Sequence, residues 1–502
     1  MKRIFIIAAI VLSGTGLVQA QNEIDLLNLA LTRQSPSARM AAMGGAFNAL
    51  GADAGAITLN PAGLGSFRRS SVSFTPGLNF TGSKGTYLGA DDKDKAVGGY
   101  IGQLGYVYSQ DLSKRNSVGG SAWKYVNYGF TINRTNSFLN NQRYKGVNSD
   151  HSMVDLFVQE ANTDPDVFRP ENYPYTASLA YTTGLIFPSV PGNDSSVFMG
   201  IVPNAGIEQS GRLRTRGATN EYSFSVAGNY NNMLFLGGSV GLVSTSYTNI
   251  SNYTERDHMD TIFDFKDFTY QQSQFVNADG VVIKLGAILQ PVEWLRLGLS
   301  YESPTWYTVS DDYETKIDAN YDSVPVFASA ASPVYTPFIY TYNKPGRITA
   351  GMAFLFGAVA SLSIDYDYID YSKMNVEALN NADAVIWAAN LNNTVRSTFK
   401  ATSNVRIGGE YIYGPLAFRA GFAYWGSPYQ EGVNTGGADY SRLDYTAGAG
   451  VKLGKVGLDL SVIHNRTKGY WLPYYLDGRN TYDVQFRNNQ TMVQATMSFR
   501  LD

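Results

Sequence analysis

Residues 491–502 read TMVQATMSFRLD. In an extended chain successive side chains point to opposite faces, so Val493, Ala495, Met497, Phe499 and Leu501 share one face. Gln494, Thr496, Ser498 and Arg500 share the other. The same two-sided pattern recurs upstream. Val405, Ile407, Tyr411 and Tyr413 oppose Arg406 and Glu410; after Gly414-Pro415 the chain resumes with Leu416, Phe418, Ala420 and Phe422 opposite Arg419. Further paired runs flank Gln290-Pro291, Gly357-Ala358 and Gly454-Lys455, while long polar connections run from Glu302 to Gly346, Ser372 to Ser403, Gly426 to Arg442 and Thr467 to Gln485. Short turns on one side and long loops on the other are the pattern of an outer-membrane barrel. A soluble sandwich has comparable loops at both ends. Closure into a barrel is also the way strands satisfy every backbone group in hydrocarbon. The expected fold is all-β, a transmembrane antiparallel β-barrel of roughly 12 to 16 strands.

Composition agrees. Charged residues make up 16% of the chain, against roughly 25% in soluble domains, while Gly, Tyr and Phe number 50, 35 and 26. Few charges with many aromatics suit a surface facing lipid. A net charge of −3 without clustering argues against a nucleic-acid partner. There is no cysteine, so stability rests on burial and hydrogen-bonded ladders rather than disulfides. Lys2 and Arg3, the apolar run Ile4 to Leu12 and the small residues up to Ala20 read as a cleavable signal peptide, residues 1–20. That run is shorter than the roughly 20 residues needed to span a bilayer as a helix. An exported chain located in the outer membrane is expected.

Two regions depart from the strand pattern. Glu23 to Ala49 carries Ile24, Leu27, Leu31, Met40, Met43 and Phe47 at roughly helical spacing, with Ser35-Pro36 as a start signal. Ahead of the first strand, such a segment is expected to pack inside the barrel, giving a hatch or plug over 21–69 and a barrel over 70–502. Asp150 to Leu185 contains helix-like pieces that suit a loop excursion folded over the mouth.

The stretch RMAAMGGAFNALGADAGAITLNPAGL, residues 39–64, followed directly by a strand, resembles the N-terminus of the FadL/TodX family of outer-membrane transport proteins. The close match spans residues 38–66. The resemblance implies a barrel of about 14 strands and passive uptake of hydrophobic small molecules such as long-chain fatty acids, with a hydrophobic ligand, membrane lipid and lipopolysaccharide as partners. It also implies a hatch motif at Asn60, Pro61, Ala62 and Gly63, and sideways release through a gap or kink in the wall. Physically, Pro61 fixes its own φ and disfavours the helical region for Asn60, whose amide can bond nearby backbone. A plain turn into the first strand is the simpler reading of the motif alone. Glu23 to Leu29 does not resemble a TonB-binding box, and nothing else marks coupling to energy. A barrel serving as scaffold or secretion-system component, binding protein partners through its loops, is the alternative.

Strand parity places Arg296, Arg347, Asp365, Asp367, Arg406, Glu410, Arg419 and Arg500 on the lumen face. They read as a salt-bridged interior, or as a cluster that receives an anionic headgroup through Arg forks. Tyr366, Tyr368, Tyr371, Tyr424, Trp425, Tyr470 and Trp471 read as an interfacial girdle. Trp306, Tyr307 and Phe338 are candidates for a greasy capture site. His151, His258 and His464 are scattered, and His464 is partnered two residues on by Arg466 rather than a hydroxyl. No enzymatic, metal or cofactor site is expected.

Overall fold

The computed structural model describes residues 23–32, 36–112, 122–163, 173–191, 197–203, 206–323, 328–334, 336–378, 381–433 and 440–501. The expected signal peptide and Ser35 lie outside them. The strands, in chain order, are β1 (Ser71–Tyr87), β2 (Ala90–Asp111), β3 (Trp123–Ser137, continued by Asn140–Asn148), β4 (Ile207–Tyr230), β5 (Leu234–Arg256), β6 (Asp267–Val292) and β7 (Leu295–Glu302, continued by Thr305–Asn320). They continue as β8 (Phe338–Lys344, then Arg347–Phe356), β9 (Ala360–Asp370), β10 (Ala401–Tyr413), β11 (Leu416–Trp425), β12 (Arg442–Leu453), β13 (Val456–Trp471) and β14 (Val484–Arg500). Each pairs antiparallel with its neighbours, and β14 closes on β1 from Ser71 opposite Arg500 to Thr86 opposite Gln485. The result is a closed 14-stranded barrel.

Alternation decides which face meets lipid. On β5, Phe235, Ser239 and Val243 are buried, whereas Leu236, Val240 and Leu242 are exposed. An apolar exterior on a closed ladder is stable only in hydrocarbon. Above Leu242 the outward residues become Ser244, Ser246 and Thr248, which marks where the wall leaves the apolar layer. The short turns hold Gly357, Gly414 and Gly454 at φ of 60°, 57° and 60°, conformations that hairpin turns require and glycine adopts without strain.

The long connections are more ordered than their polarity suggested. The stretch from Glu302 to Gly346 is largely sheet: Thr305–Asn320 pairs with β6 and Phe338–Lys344 pairs back onto it. Ser303-Pro304 and Pro345-Gly346 merely interrupt the two strands, since proline cannot donate to a ladder. Between Ser372 and Ser403 lies a helix, Ala382–Thr398, capped by the Asn381 side chain on Ala384 N. Its signal was present as Ala384, Ala388, Leu391 and Val395 on one face, but the other positions are too mixed to stand out.

Over part of the long-loop end, helices Val154–Asn162 and Ala177–Thr182 share an apolar core with Leu185, Phe198, Phe265 and Phe268. The first is tied down by the buried Glu255 of β5, which accepts from Ser152 Oγ, Met153 N, Gln209 Nε2 and Tyr253 OH. Nearer the N-terminus, α1 (Glu23–Ala30) lies among Tyr307, Tyr342, Val282 and Val376. Tyr342 OH donates to Leu26 O at 2.9 Å, and Tyr247 OH to Asp25 Oδ1 at 3.2 Å. α2 (Ala38–Ala42) starts at Ser37, whose Oγ accepts from Met40 N. The start is therefore Ser37 rather than Ser35-Pro36. Past Met43, glycines at φ of 64° and 77° end the helix, so the helical spacing up to Phe47 does not continue as helix. No helix among the described residues is long and apolar enough to cross a membrane.

Candidate functional site

Residues 36–66 form an irregular path within the barrel, and irregular backbone away from water must find partners. The wall supplies them from many strands. Ala38 N donates to Thr496 Oγ1 at 2.8 Å, and Gly44 N to Thr446 Oγ1 at 3.0 Å. Phe47 N and Asn48 N both donate to Asp365 Oδ2, at 2.8 and 2.9 Å. Arg296 donates to Leu50 O, Lys284 to Thr58 O and Asn127 to Leu64 O. Asn60 has extended φ and ψ of −140° and 104°; its Oδ1 caps Ala62 N, and Pro61 opens the 3₁₀ turn Pro61–Ser66. Its Nδ2 reaches Asn48 O at 2.7 Å. Asn48 in turn accepts from Ser300 Oγ and donates to Thr349 O. The Asn-Pro stretch is thus the centre of a network in which Asn48, not evident from the motif, is an equal partner.

Close approach is possible because the wall carries glycine where this path lies closest to it. A Cβ on Gly286 would lie 1.9 Å from Asn60 Oδ1, and one on Gly408 would lie 2.2 Å from Met43 O. Gly237, Gly298 and Gly421 face Pro61-Ala62, Asn48 and Gly44 in the same way.

Between this path and α1 remains a cavity of ≈ 60 Å³ lined by Leu29, Met40 and Thr58 and by a ring of charges. Lys284 contacts Glu221 at 2.7 Å; Glu302 receives Arg347 at 2.6 Å and Lys344 at 3.3 Å. Arg406 pairs with Asp367 at 2.7 Å and lies 3.6 Å from Asp365. Arg442 pairs with Asp444 at 2.7 Å, which also accepts from Trp425 Nε1. Nearer the short-turn end, Glu410 is gripped by both Arg39 and Arg419, and Arg419 reaches Asp459. Charges this deep persist only when paired.

Among the described residues the wall parts at one seam. β2 pairs with β3 only from Gln103 opposite Asn133 to Asp111 opposite Tyr125. Above that level β2 keeps its ladder with β1, while β3 keeps its ladder with β4. The two edges do not meet but overlap. Gly98 and Tyr100 on the inner face of β2 look across at Arg134 and Ser137 of β3, Arg216 and Asn220 of β4 and Ser244 of β5, around a cleft of ≈ 530 Å³. At the upper rim, Arg212 pairs with Asp94 at 3.0 Å and Arg143 with Asp92 at 3.7 Å. The cleft is bounded below by the ladder and above by these ties.

This 14-stranded barrel is similar in fold to solved structures. A Pseudomonas aeruginosa FadL homologue is similar over 94% of this chain and 100% of its own, with 11% identity and a TM-score of 0.56. The P. putida toluene transporter TodX is similar over 93% of this chain and 98% of its own, with 16% identity and a TM-score of 0.54. The chain has the FadL/TodX fold. No family model and no curated protein matches its sequence.

Within this FadL/TodX-fold barrel, Arg347, Asp365, Asp367, Arg406, Glu410 and Arg419 are buried on the inner face, each in the ion pairs above. Arg296 instead bonds Gln290 and Leu50 O, and Arg500 sits at the short-turn rim beside Lys455. Asn60, Pro61, Ala62 and Gly63 are buried together. Of the girdle candidates, Tyr366, Tyr368 and Tyr424 are exposed on the outer face, but Tyr371 is buried and Trp425 points inward at Asp444. Trp306, Tyr307 and Phe338 are strand residues, not loop residues. Trp306 faces out, Tyr307 is buried and Phe338 packs edge-on against Trp387, so they do not converge on one pocket. His464 lies outside against Thr491, and His151 is buried beneath the helical cap. Parity missed Lys284, Glu221 and Glu302, because long runs such as β6 contain glycine and polar residues on both faces.

Proposed function

We propose that the protein is an outer-membrane channel for passive uptake of hydrophobic small molecules, long-chain fatty acids among them. On this reading the long-loop end faces outward and the short-turn end faces the periplasm. Residues 36–66 act as the hatch that blocks the straight path, and the ligand leaves sideways through the overlap of β2 and β3 into the bilayer. The parted seam is the observation that carries the reading. A fully laddered wall around an occupied lumen would offer an apolar solute no way out, whereas a solute that is poorly soluble in water gains free energy by moving directly into hydrocarbon. Support also comes from the FadL homologue and the toluene transporter TodX, whose fold this chain shares. The ion pairs of the inner wall hold the hatch and the strands together, and on this reading the solute passes through unchanged. The test is uptake of labelled long-chain fatty acid and of toluene by cells producing the protein, compared with cells producing Pro61→Leu or a chain lacking residues 38–66. Uptake that depends on the protein and changes in the hatch variants is expected. No protein-dependent uptake of either compound at normal protein levels refutes the reading.

A further inference from the structure

We propose that the overlap cleft between β2 and β3 is an anion-binding slot, in which Arg134 and Arg216 hold the acidic head of an acyl-chain amphiphile. The inference rests on the reading of the cleft as an exit and adds what that exit recognises. Two arginines set it apart. In the lumen, Lys284, Lys344, Arg347, Arg406 and Arg442 all have a carboxylate within 4 Å, and so do Arg143 and Arg212 at the upper rim of the cleft. Among the described residues no carboxylate reaches Arg134 or Arg216, although both line the cleft. Arg134 Nε is buried without a hydrogen-bond partner, and its guanidinium lies 5.7 Å over the Tyr100 ring.

A partly desolvated guanidinium without a counter-ion is costly, and a carboxylate or phosphate satisfies it with charge-assisted hydrogen bonds. Around it, Asn220, Ser244 and Ser246 supply further donors. A cleft meant only for hydrocarbon would be lined like the wall below, where Leu242 and Phe224 face out. The depth is also right for a head rather than a tail. The outward side chains of β5 change from Leu242 to Ser244 at the cleft, while Val97 and Ile101 on the outer face of β2 give an acyl chain an apolar surface beside it. The shared chemistry is an acid on an acyl chain. It arises from two sources, a carboxylate in transit or a phosphate of an outer-leaflet lipid.

The chain has no cysteine, so Ser244→Cys carrying an environment-sensitive bimane reports on the cleft alone. The labelled protein in phosphatidylcholine nanodiscs is titrated with dodecanoate, with dodecanol as the uncharged match, and separately with lipid A. A bimane response to dodecanoate but not to dodecanol, weakened about tenfold or more by Arg134→Gln with Arg216→Gln, is expected. A response to lipid A alone, lost in the same double variant, also supports the slot and assigns its occupant to the membrane. Equal responses to dodecanol and dodecanoate, or acid responses untouched by the double variant in a barrel with normal heat-modifiable migration, overturn the proposal. The readout is binding rather than uptake, so a protein that fills the slot without transporting would refute the channel and leave the slot standing.

Discussion

Replacing Asp365 with alanine is expected to loosen the hatch while leaving the barrel closed. Asp365 Oδ2 accepts two backbone hydrogen bonds, from Phe47 N at 2.8 Å and Asn48 N at 2.9 Å, and is itself 0% exposed. The β9 ladder on either side does not involve its side chain, and Arg406 keeps Asp367 at 2.7 Å. Each buried N–H left without an acceptor costs about 1–3 kcal/mol. A combined loss in the lower half of the resulting range, about 3 kcal/mol, raises the population of a locally released 46–50 segment by roughly 100-fold. Ala46 is 0% exposed and the chain lacks cysteine, so Ala46→Cys is a single buried thiol whose maleimide labelling rate reports that opening. Labelling in the Asp365→Ala background is expected to rise by one to two powers of ten over Ala46→Cys alone. Asp365→Asn, which keeps an oxygen acceptor, should restore most of the protection. Unchanged labelling in Asp365→Ala, with heat-modifiable migration showing an intact barrel, would refute the assignment of this carboxylate as an anchor.

Other consequences follow from the same contacts. Gly286→Ala puts a methyl 1.9 Å from Asn60 Oδ1, so the path around Pro61 must shift; single-channel conductance in planar bilayers is expected to rise, and conductance equal to that of the unaltered protein would contradict the packing. Glu302→Ala strips Arg347, Lys344 and Lys284 of a shared carboxylate. Breaking a buried ion pair from one side costs about 3–5 kcal/mol, so the temperature at which the folded gel band converts to the unfolded one should fall clearly, and an unmoved transition counts against the network. Beneath the cap, His151 accepts at Nδ1 from Tyr474 OH and donates from Nε2 to Asn480 O, and burial lowers its pKa below the usual 6.5. The unfolded cap then takes up a proton at a pH where the folded cap has not, so cap stability falls as pH drops through 6.5 toward the lower folded value. Hydrogen exchange over 152–162 should speed up at about pH 5 relative to about pH 7.5 and should lose that dependence in His151→Gln.

How much of this was legible depends on which residues carry it. Period-two runs such as 491–501 and 405–422 announced the barrel because lipid outside and polar lumen inside impose opposite chemistry on alternate residues. The Asn60-Pro61 turn was legible because proline restricts both residues. Its partner Asn48 was not, since an asparagine among alanines and glycines carries no spacing signal. The Glu302–Gly346 stretch read as a loop because strands that rise beyond the bilayer lose their apolar outer face: in Thr305–Asn320 the outer positions include Thr308, Ser310, Asp312, Glu314 and Lys316, which mask the buried Tyr307, Val309 and Ile317 alternating with them. The parted seam was invisible for a related reason. Residues 90–102 of β2 and 134–148 of β3 each keep one ladder, and DDKDK at 91–95 read as a solvated loop rather than strand, so only the register at Gln103–Asn133 reveals that the two have separated.

Sideways exit through that seam is the claim on which the account stands, and closing the seam tests it. A Cβ on Gly98 would lie 3.8 Å from Leu139 Cγ across the cleft, so Gly98→Cys with Leu139→Cys places two thiols within reach of a disulfide. In cells producing this variant, uptake of labelled long-chain fatty acid should fall to the level of cells lacking the protein under oxidising conditions and recover on adding reductant. Equal uptake with the cross-link formed and with it reduced would show that the ligand takes another path.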